Sequence, residues 1–182
     1  MNWIIPGTTL EDRRENAARI DSLFSSMFLA GGLTLSQVSA VTGLESHTIQ
    51  NWVKRGFLSP PRAKRYDMEQ VCRIINMNML KGTLQLEQVC SLMTYINGSL
   101  EDESDDLVDD TVLYFMFVRL AARARHIGGS DWDEALLETT ADYVEPVPGA
   151  REKLIKVLKI MLTVWVANTL RGAAEQLIRE LD

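Results

Sequence analysis

His47, Gln50, Asn51 and Lys54 recur at i, i+3, i+4 and i+7, which places four polar side chains on one face of a helix. Their chemistry suits the edge of a nucleic acid. Glutamine and asparagine can each pair in bidentate fashion with adenine, and a lysine suits a guanine or a phosphate. Thr48 and Arg55 lie on the same helix, and Arg62, Lys64, Arg65 and Tyr66 follow it. Residues 46–66 therefore hold five basic side chains and no acidic one. Such a concentration is the electrostatic footprint of polyanion binding. Arg62, Lys64 and Arg65 read as phosphate contacts, whereas Gln50 and Asn51 read equally as base contacts or as solvated surface. Trp52 falls on the opposite face and reads as core.

These residues need a scaffold, and the local signals supply one. A short helix begins after Thr34, with Gln37 at capping-box spacing, and stops at Gly43; a second spans 46–55 and stops at Gly56. Val38, Val41 and Leu44 can meet Ile49, Trp52 and Val53 in a small core, the arrangement that presents a second helix to the major groove. Residues 57–66 contain Pro60 and Pro61, which forbid helix, so this stretch reads as a short two-stranded wing or loop. Asp67 with Gln70 opens a further helix whose core face is Val71, Ile74, Ile75 and Met79, ended by Gly82. Leu86, Val89, Cys90 and Met93 mark another, ended at Asn97-Gly98. Upstream, the Thr8 and Glu11 spacing predicts a helix over 10–29 with Ile20, Leu23, Phe24 and Met27 on one face. Downstream, the acidic run 101–106 reads as a solvated linker. Helices are expected beyond it near 107–127, 131–143 and 150–181, separated by Gly128-Gly129 and by the Pro146, Pro148 and Gly149 cluster.

Composition sets the outer bounds. The 182 residues are 46% hydrophobic and 24% charged, as in ordinary globular proteins. No signal-peptide pattern opens the sequence, and the apolar stretches 112–118 and 157–166 fall short of the ~20 residues that cross a bilayer, so a cytoplasmic protein is expected. Cys72 and Cys90 read as reduced thiols within helices. The net charge of −6 is unevenly spread: residues 1–32, 33–97, 98–147 and 148–182 carry −1, +3, −10 and +2. One basic region beside an acidic one is what a single polyanion-facing surface requires. His47 and His126 lie far apart with no cysteine near either, so no metal site is expected, and no cofactor. Nucleophile–base motifs and phosphate-binding glycine loops are also missing, so an enzyme is not expected.

Thr34-Leu35-Ser36-Gln37-Val38-Ser39-Ala40-Val41-Thr42-Gly43-Leu44 resembles the opening of MerR-family regulators. Thr48-Ile49-Gln50-Asn51-Trp52-Val53-Lys54-Arg55-Gly56-Phe57-Leu58 is similar to that family's recognition helix, and Ser59-Pro60-Pro61 with Arg65-Tyr66 to its wing. The chain as a whole also resembles uncharacterised bacterial proteins that join such a head to a helical tail. Three features depart from MerR: Gln50-Asn51-Trp52 stands where Arg-Tyr-Tyr is usual, the wing is shorter, and no long heptad helix follows Gly98. The fold class implied is mainly all-α, with a MerR-like winged helix-turn-helix over 33–98 carrying a short β wing. An N-terminal helix (1–32), an acidic linker (99–106) and a helical dimerisation or effector domain (107–182) complete it.

The implied function is sequence-specific binding of double-stranded DNA by a homodimeric transcription regulator. Leu154, Leu158, Met161 and Trp165 form the stripe expected to dimerise, with Leu170, Ala173, Leu177 and Leu181 continuing its apolar content. Phe115, Met116, Trp132 and Trp165 could line a site for a small-molecule effector, as MerR tails do, but such residues at helical spacing are more often plain core. The alternative function is a protein–protein adaptor whose head has given up DNA.

Overall fold

The computed structural model describes residues 2–98, 106–124 and 131–181, which are mainly helical. The acidic run 101–105, with Arg125, His126 and Gly128-Gly129, lies outside the described residues. Among those described, no helix is long and apolar enough to cross a membrane.

The N-terminal segment differs from the single helix expected over 10–29. Strands β1 (Asn2–Ile4) and β2 (Glu11–Arg13) pair antiparallel, a 3-10 turn covers Arg14–Arg19, and helix α1 is confined to Ile20–Met27. Thr8 caps no helix. Its hydroxyl donates to the Ile5 carbonyl at 2.9 Å and accepts the Leu10 N–H at 3.0 Å, closing the hairpin. Thr9 then ties that hairpin to the next region through the Ala40 and Val41 carbonyls.

Helices α2 (Leu35–Thr42) and α3 (Ser46–Lys54) lie where the caps and glycines put them. The Thr34 and Gln37 capping box is closed in both directions, and Gly43 ends α2 with φ +68°. Strand β3 (Leu33–Thr34) pairs antiparallel with β4 (Arg65–Tyr66). Within 57–66 one antiparallel bridge joins Arg62 to Arg65, and the strand β4 takes its partner from before α2. Pro60 and Pro61 have no N–H to give a ladder. Gly32 makes the pairing possible: its φ is +99°, and a Cβ there would lie 2.7 Å from the Tyr66 carbonyl oxygen.

Helix α4 (Met68–Leu80) starts at the Asp67 and Gln70 capping box and is buried on nearly every side. Around it pack α5 (Leu86–Asn97), α6 (Asp110–Arg123) and α8 (Ala150–Arg179), and α7 (Asp131–Thr139) packs on α6 and α8. A single apolar cluster runs from Ile5 to Val164, so 1–32, 33–98 and 107–182 contribute to one core. Phe24 meets Tyr114 and Phe115 edge-on at 5.4 Å, and the Tyr114 hydroxyl donates to the Pro6 carbonyl.

The stripe expected to dimerise requires correction. Leu154, Leu158 and Met161 are fully buried within the chain, and Trp165 packs edge-on against Phe117 at 6.4 Å. The first five turns of α8 serve the intrachain core, whereas residues 169–181 are all exposed. Phe115 and Trp132 are buried, and Met116 is packed against the same core. Cys72 is a buried thiol and Cys90 a half-buried one, both unpaired.

Candidate nucleic-acid interface

Helix α3 is held by one face only. Ile49 and Trp52 are buried against Val38, Val41 and Leu44, and Val53 is half-buried. The bend between α2 and α3 is fixed by Thr42, whose hydroxyl donates to the Val38 carbonyl at 2.8 Å and accepts the Leu44 N–H at 3.3 Å. Ser39 and Ser46 bridge the two helices through their hydroxyls at 3.0 Å. On the outer face His47, Gln50, Asn51 and Lys54 are all exposed, and Thr48 is half-buried. Lys54 stands in the last turn of α3, where a cation complements the helix dipole.

The basic loop is anchored from below by α4. The Gln70 side-chain amide donates to the Ser59 and Pro60 carbonyls and to the Ser59 hydroxyl, at 2.9 to 3.1 Å. At the tip, the Arg65 N–H donates to the Arg62 carbonyl at 2.9 Å, and Ala63 and Lys64 have φ of +48° and +63°. Two successive positive φ values define a mirror-image tight turn that glycine or asparagine normally fills. Left-handed backbone costs a side-chain-bearing residue about 1–2 kcal/mol, so this turn is strained. Arg62 and Lys64 at this turn are both exposed. Gln50 from α3 and Lys64 from the turn line one recess of about 370 Å³, floored by Leu35, Val53, Pro61 and Tyr66.

Three of the sequence-derived positions are otherwise engaged. Tyr66 is buried at 3% exposure beneath the β3–β4 pair, so its ring is core and not a phosphate contact. Arg65 donates to the Gly32 carbonyl at 2.8 Å. Arg55 stacks over the Phe57 ring at 4.6 Å and lies 3.5 Å from Glu87 of α5. The outward set is thus His47, Gln50, Asn51 and Lys54 on the helix with Arg62 and Lys64 on the loop.

Sequence reasoning missed the buried pair beneath this face. Arg73 of α4 donates through Nε to the Phe57 carbonyl at 3.1 Å and through Nη1 to Asp110 of α6 at 2.9 Å. It therefore fixes the chain where it leaves α3. The Asn76 amide also donates to the Asp110 backbone carbonyl, at 3.3 Å. Burial pushes the Asp110 carboxyl above the usual carboxylate range, while Arg73, Asn76 and Asn97 pull it back. The available signal was an arginine set between Val71-Cys72 and Ile74-Ile75 on a helix otherwise committed to the core.

Comparison with known proteins covers this same region. Residues 29–117 match the model of a domain of unknown function, DUF1836. An uncharacterized protein of Bacillus subtilis (strain 168), YkrK, is 29% identical over 84 residues, which is 44% of this chain and 36% of that protein. The chain thus spans about a third of the length of the curated relative it matches. A family model over just under half of the chain and this distant relative both point to an uncharacterised bacterial family. No solved structure matches the chain.

Proposed function

We propose that this chain is a sequence-specific DNA-binding regulator of transcription, with a MerR-like winged helix-turn-helix over 33–98. Helix α3 enters the major groove, and the 57–66 loop acts as the wing on the adjacent backbone. The carrying observation is the convergence of Gln50 on α3 and Lys64 on the loop tip at one recess, in a stretch without an acidic residue. Gln50 and Asn51 read base edges, while Lys54, Arg62 and Lys64 hold phosphates. One such head makes a small contact, so two copies on two half-sites are needed for useful affinity.

The adaptor reading draws on a different observation: Arg55 and Arg65 are engaged within the chain, which thins the cationic face. Retention of mixed genomic DNA fragments at about 50 and about 200 mM salt separates the two readings. The regulator binds at low salt and releases steeply as salt rises, and a Lys54/Arg62/Lys64 triple-alanine variant loses most of that binding. Absence of retention at low salt overturns the regulator reading. Equal retention of the variant places DNA on some other surface.

A further inference from the structure

Helix α8 leaves the body of the molecule at a defined point. The Asn168 amide donates to the Met79 carbonyl at 2.9 Å and Arg171 to the Gly82 carbonyl, binding α8 to the end of α4. Beyond this tie Leu170, Leu177, Ile178 and Leu181 are 48%, 64%, 64% and 85% exposed. Leu170, Ala174, Leu177 and Leu181 follow one another by four, three and four residues and so form one stripe. At about 100° per residue, Ile160 and Lys156 continue that stripe, on the side of α8 away from buried Leu154, Leu158 and Met161. A short helix end with an apolar face gains little stability alone and calls for a cover.

The same molecule offers a matching recess. Between α5 and α8 an open groove of about 640 Å³ is lined chiefly by Leu84, Leu92, Tyr95, Val157 and Ile160. Leu84 to Tyr95 spans eleven residue steps of α5 and its lead-in, roughly 17 Å, and Leu170 to Leu181 spans the same eleven. The charges are complementary at one end of the groove. Lys156, 2.8 Å from Glu152, lines it and Lys153 sits over the Tyr95 ring at 5.6 Å, while Glu87 on the α5 wall lies 3.5 Å from Arg55. On the projecting end, Glu180 lies beside the apolar stripe, Glu175 and Arg179 fall on the far side with Glu175 3.7 Å from Arg171, and the helix closes with its negative pole.

We propose that the α5–α8 groove receives the C-terminal helix of a second copy of this chain, in a reciprocal exchange. A two-fold axis crossing α8 near Asn168 sets Leu177 of one copy against Ile160 of the other. It also brings Leu181 and Glu180 to Lys156 and Tyr95. Each copy then supplies the same groove and the same helix, the self-complementarity that a closed dimer needs. This deepens the two-copy element of the preceding reading and rests on it only there; the test contains no DNA, so its failure leaves DNA binding standing.

Sedimentation equilibrium of the full chain, from about 1 to about 100 µM, reads the result directly. The chain is expected to be dimeric over most of that range. Leu177→Asp with Leu181→Asp weakens association by about tenfold or more while leaving the helical signal in place, because both residues are exposed. Charge reversal supplies the specific check. A Lys153→Glu/Lys156→Glu variant and a Glu180→Lys variant are each expected to associate more weakly than the parent, yet to form a heterodimer when mixed, since both grooves then face complementary ends. A wild-type chain monomeric throughout overturns the proposal. So does a dimer indifferent to the two aspartates, or a mixture that associates no better than its components.

Discussion

The α4–α6 seam and the α3–loop face both carry charge, and the same helix, α4, supports each. At the seam Arg73 and Asp110 lie 2.9 Å apart, almost wholly removed from water, with the Phe57 carbonyl as a further partner. At the outer face Lys54, Arg62 and Lys64 are exposed, and the loop that carries two of them has a strained turn at its tip. A buried pair whose partners are fixed resists any loss of either member. An exposed cation costs little to remove and is available to an outside anion. The difference divides the molecule into charges that hold the fold and charges that serve a ligand, and substitutions should separate the two cleanly.

The largest effect is expected at the seam. Asp110→Ala leaves Arg73 buried without its counter-ion and should cost about 3–5 kcal/mol in chemical denaturation. Replacing both groups, with Arg73→Met and Asp110→Leu, should recover much of that loss, because a hydrophobic pair of similar volume needs no desolvation. A loss in the double variant as large as in Asp110→Ala would place the importance of Arg73 in its bond to Phe57. The pH dependence has a definite sign. Burial raises the folded-state pKa of Asp110, so its stabilising contribution is complete below the ordinary aspartate value near ~3.9 and is lost as pH rises through the folded-state value. The wild type minus Asp110→Asn stability difference should therefore fall with rising pH in that window. A difference that stays flat, or rises, would show that Arg73 outweighs burial.

At the outer face the expected pattern reverses. Lys54→Ala, Arg62→Ala and Lys64→Ala should each leave stability within about 0.5 kcal/mol of the parent. Each should also lower the slope of log affinity against log salt by about one per head in a DNA titration. Arg55→Ala and Arg65→Ala should change that slope less, since Glu87 and the Gly32 carbonyl already occupy those guanidinium groups. Equal slopes for all five variants would mean that the inward-tied arginines swing out to meet DNA.

What the sequence made legible follows the range of each interaction. The Thr34–Gln37 and Asp67–Gln70 boxes, and the Gly43 stop, join residues three or four apart, so their spacing announces them. Thr8 and Glu11 carried the same spacing without forming a helix. The decision there lies in contacts about thirty residues away, between Thr9 and Ala40 or Val41. Tyr66 at the end of a basic run looks like a phosphate contact until Leu33 pairs with it across β3 and β4. The outer stripe of α3 was readable because one amphipathic period covers the whole helix. In α8 two apolar stripes follow in succession, and only packing against α4, α6 and α7 shows that the first is core and the second exposed. The Arg73–Asp110 pair spans 37 positions and left only an arginine in apolar company as its trace.

The smallest effect distinguishes geometry from charge at the loop tip. Ala63 and Lys64 both occupy left-handed backbone without the freedom of glycine. Ala63→Gly removes that conflict but enlarges the entropy of the unfolded chain, so the net gain should be about 0.5–1 kcal/mol. For a chain of this size that is a rise of about 1–4 °C in thermal midpoint, with the DNA salt slope unchanged. Lys64→Gly relieves the same kind of strain while deleting a cation, so it should raise stability similarly and lower the slope by about one. If Ala63→Gly instead destabilises the protein, the turn is held by its side chains and not opposed by them. If Lys64→Gly keeps full DNA affinity, the exposed ammonium at the tip is solvated surface, and the contrast between the two charge clusters rests on Lys54 and Arg62 alone.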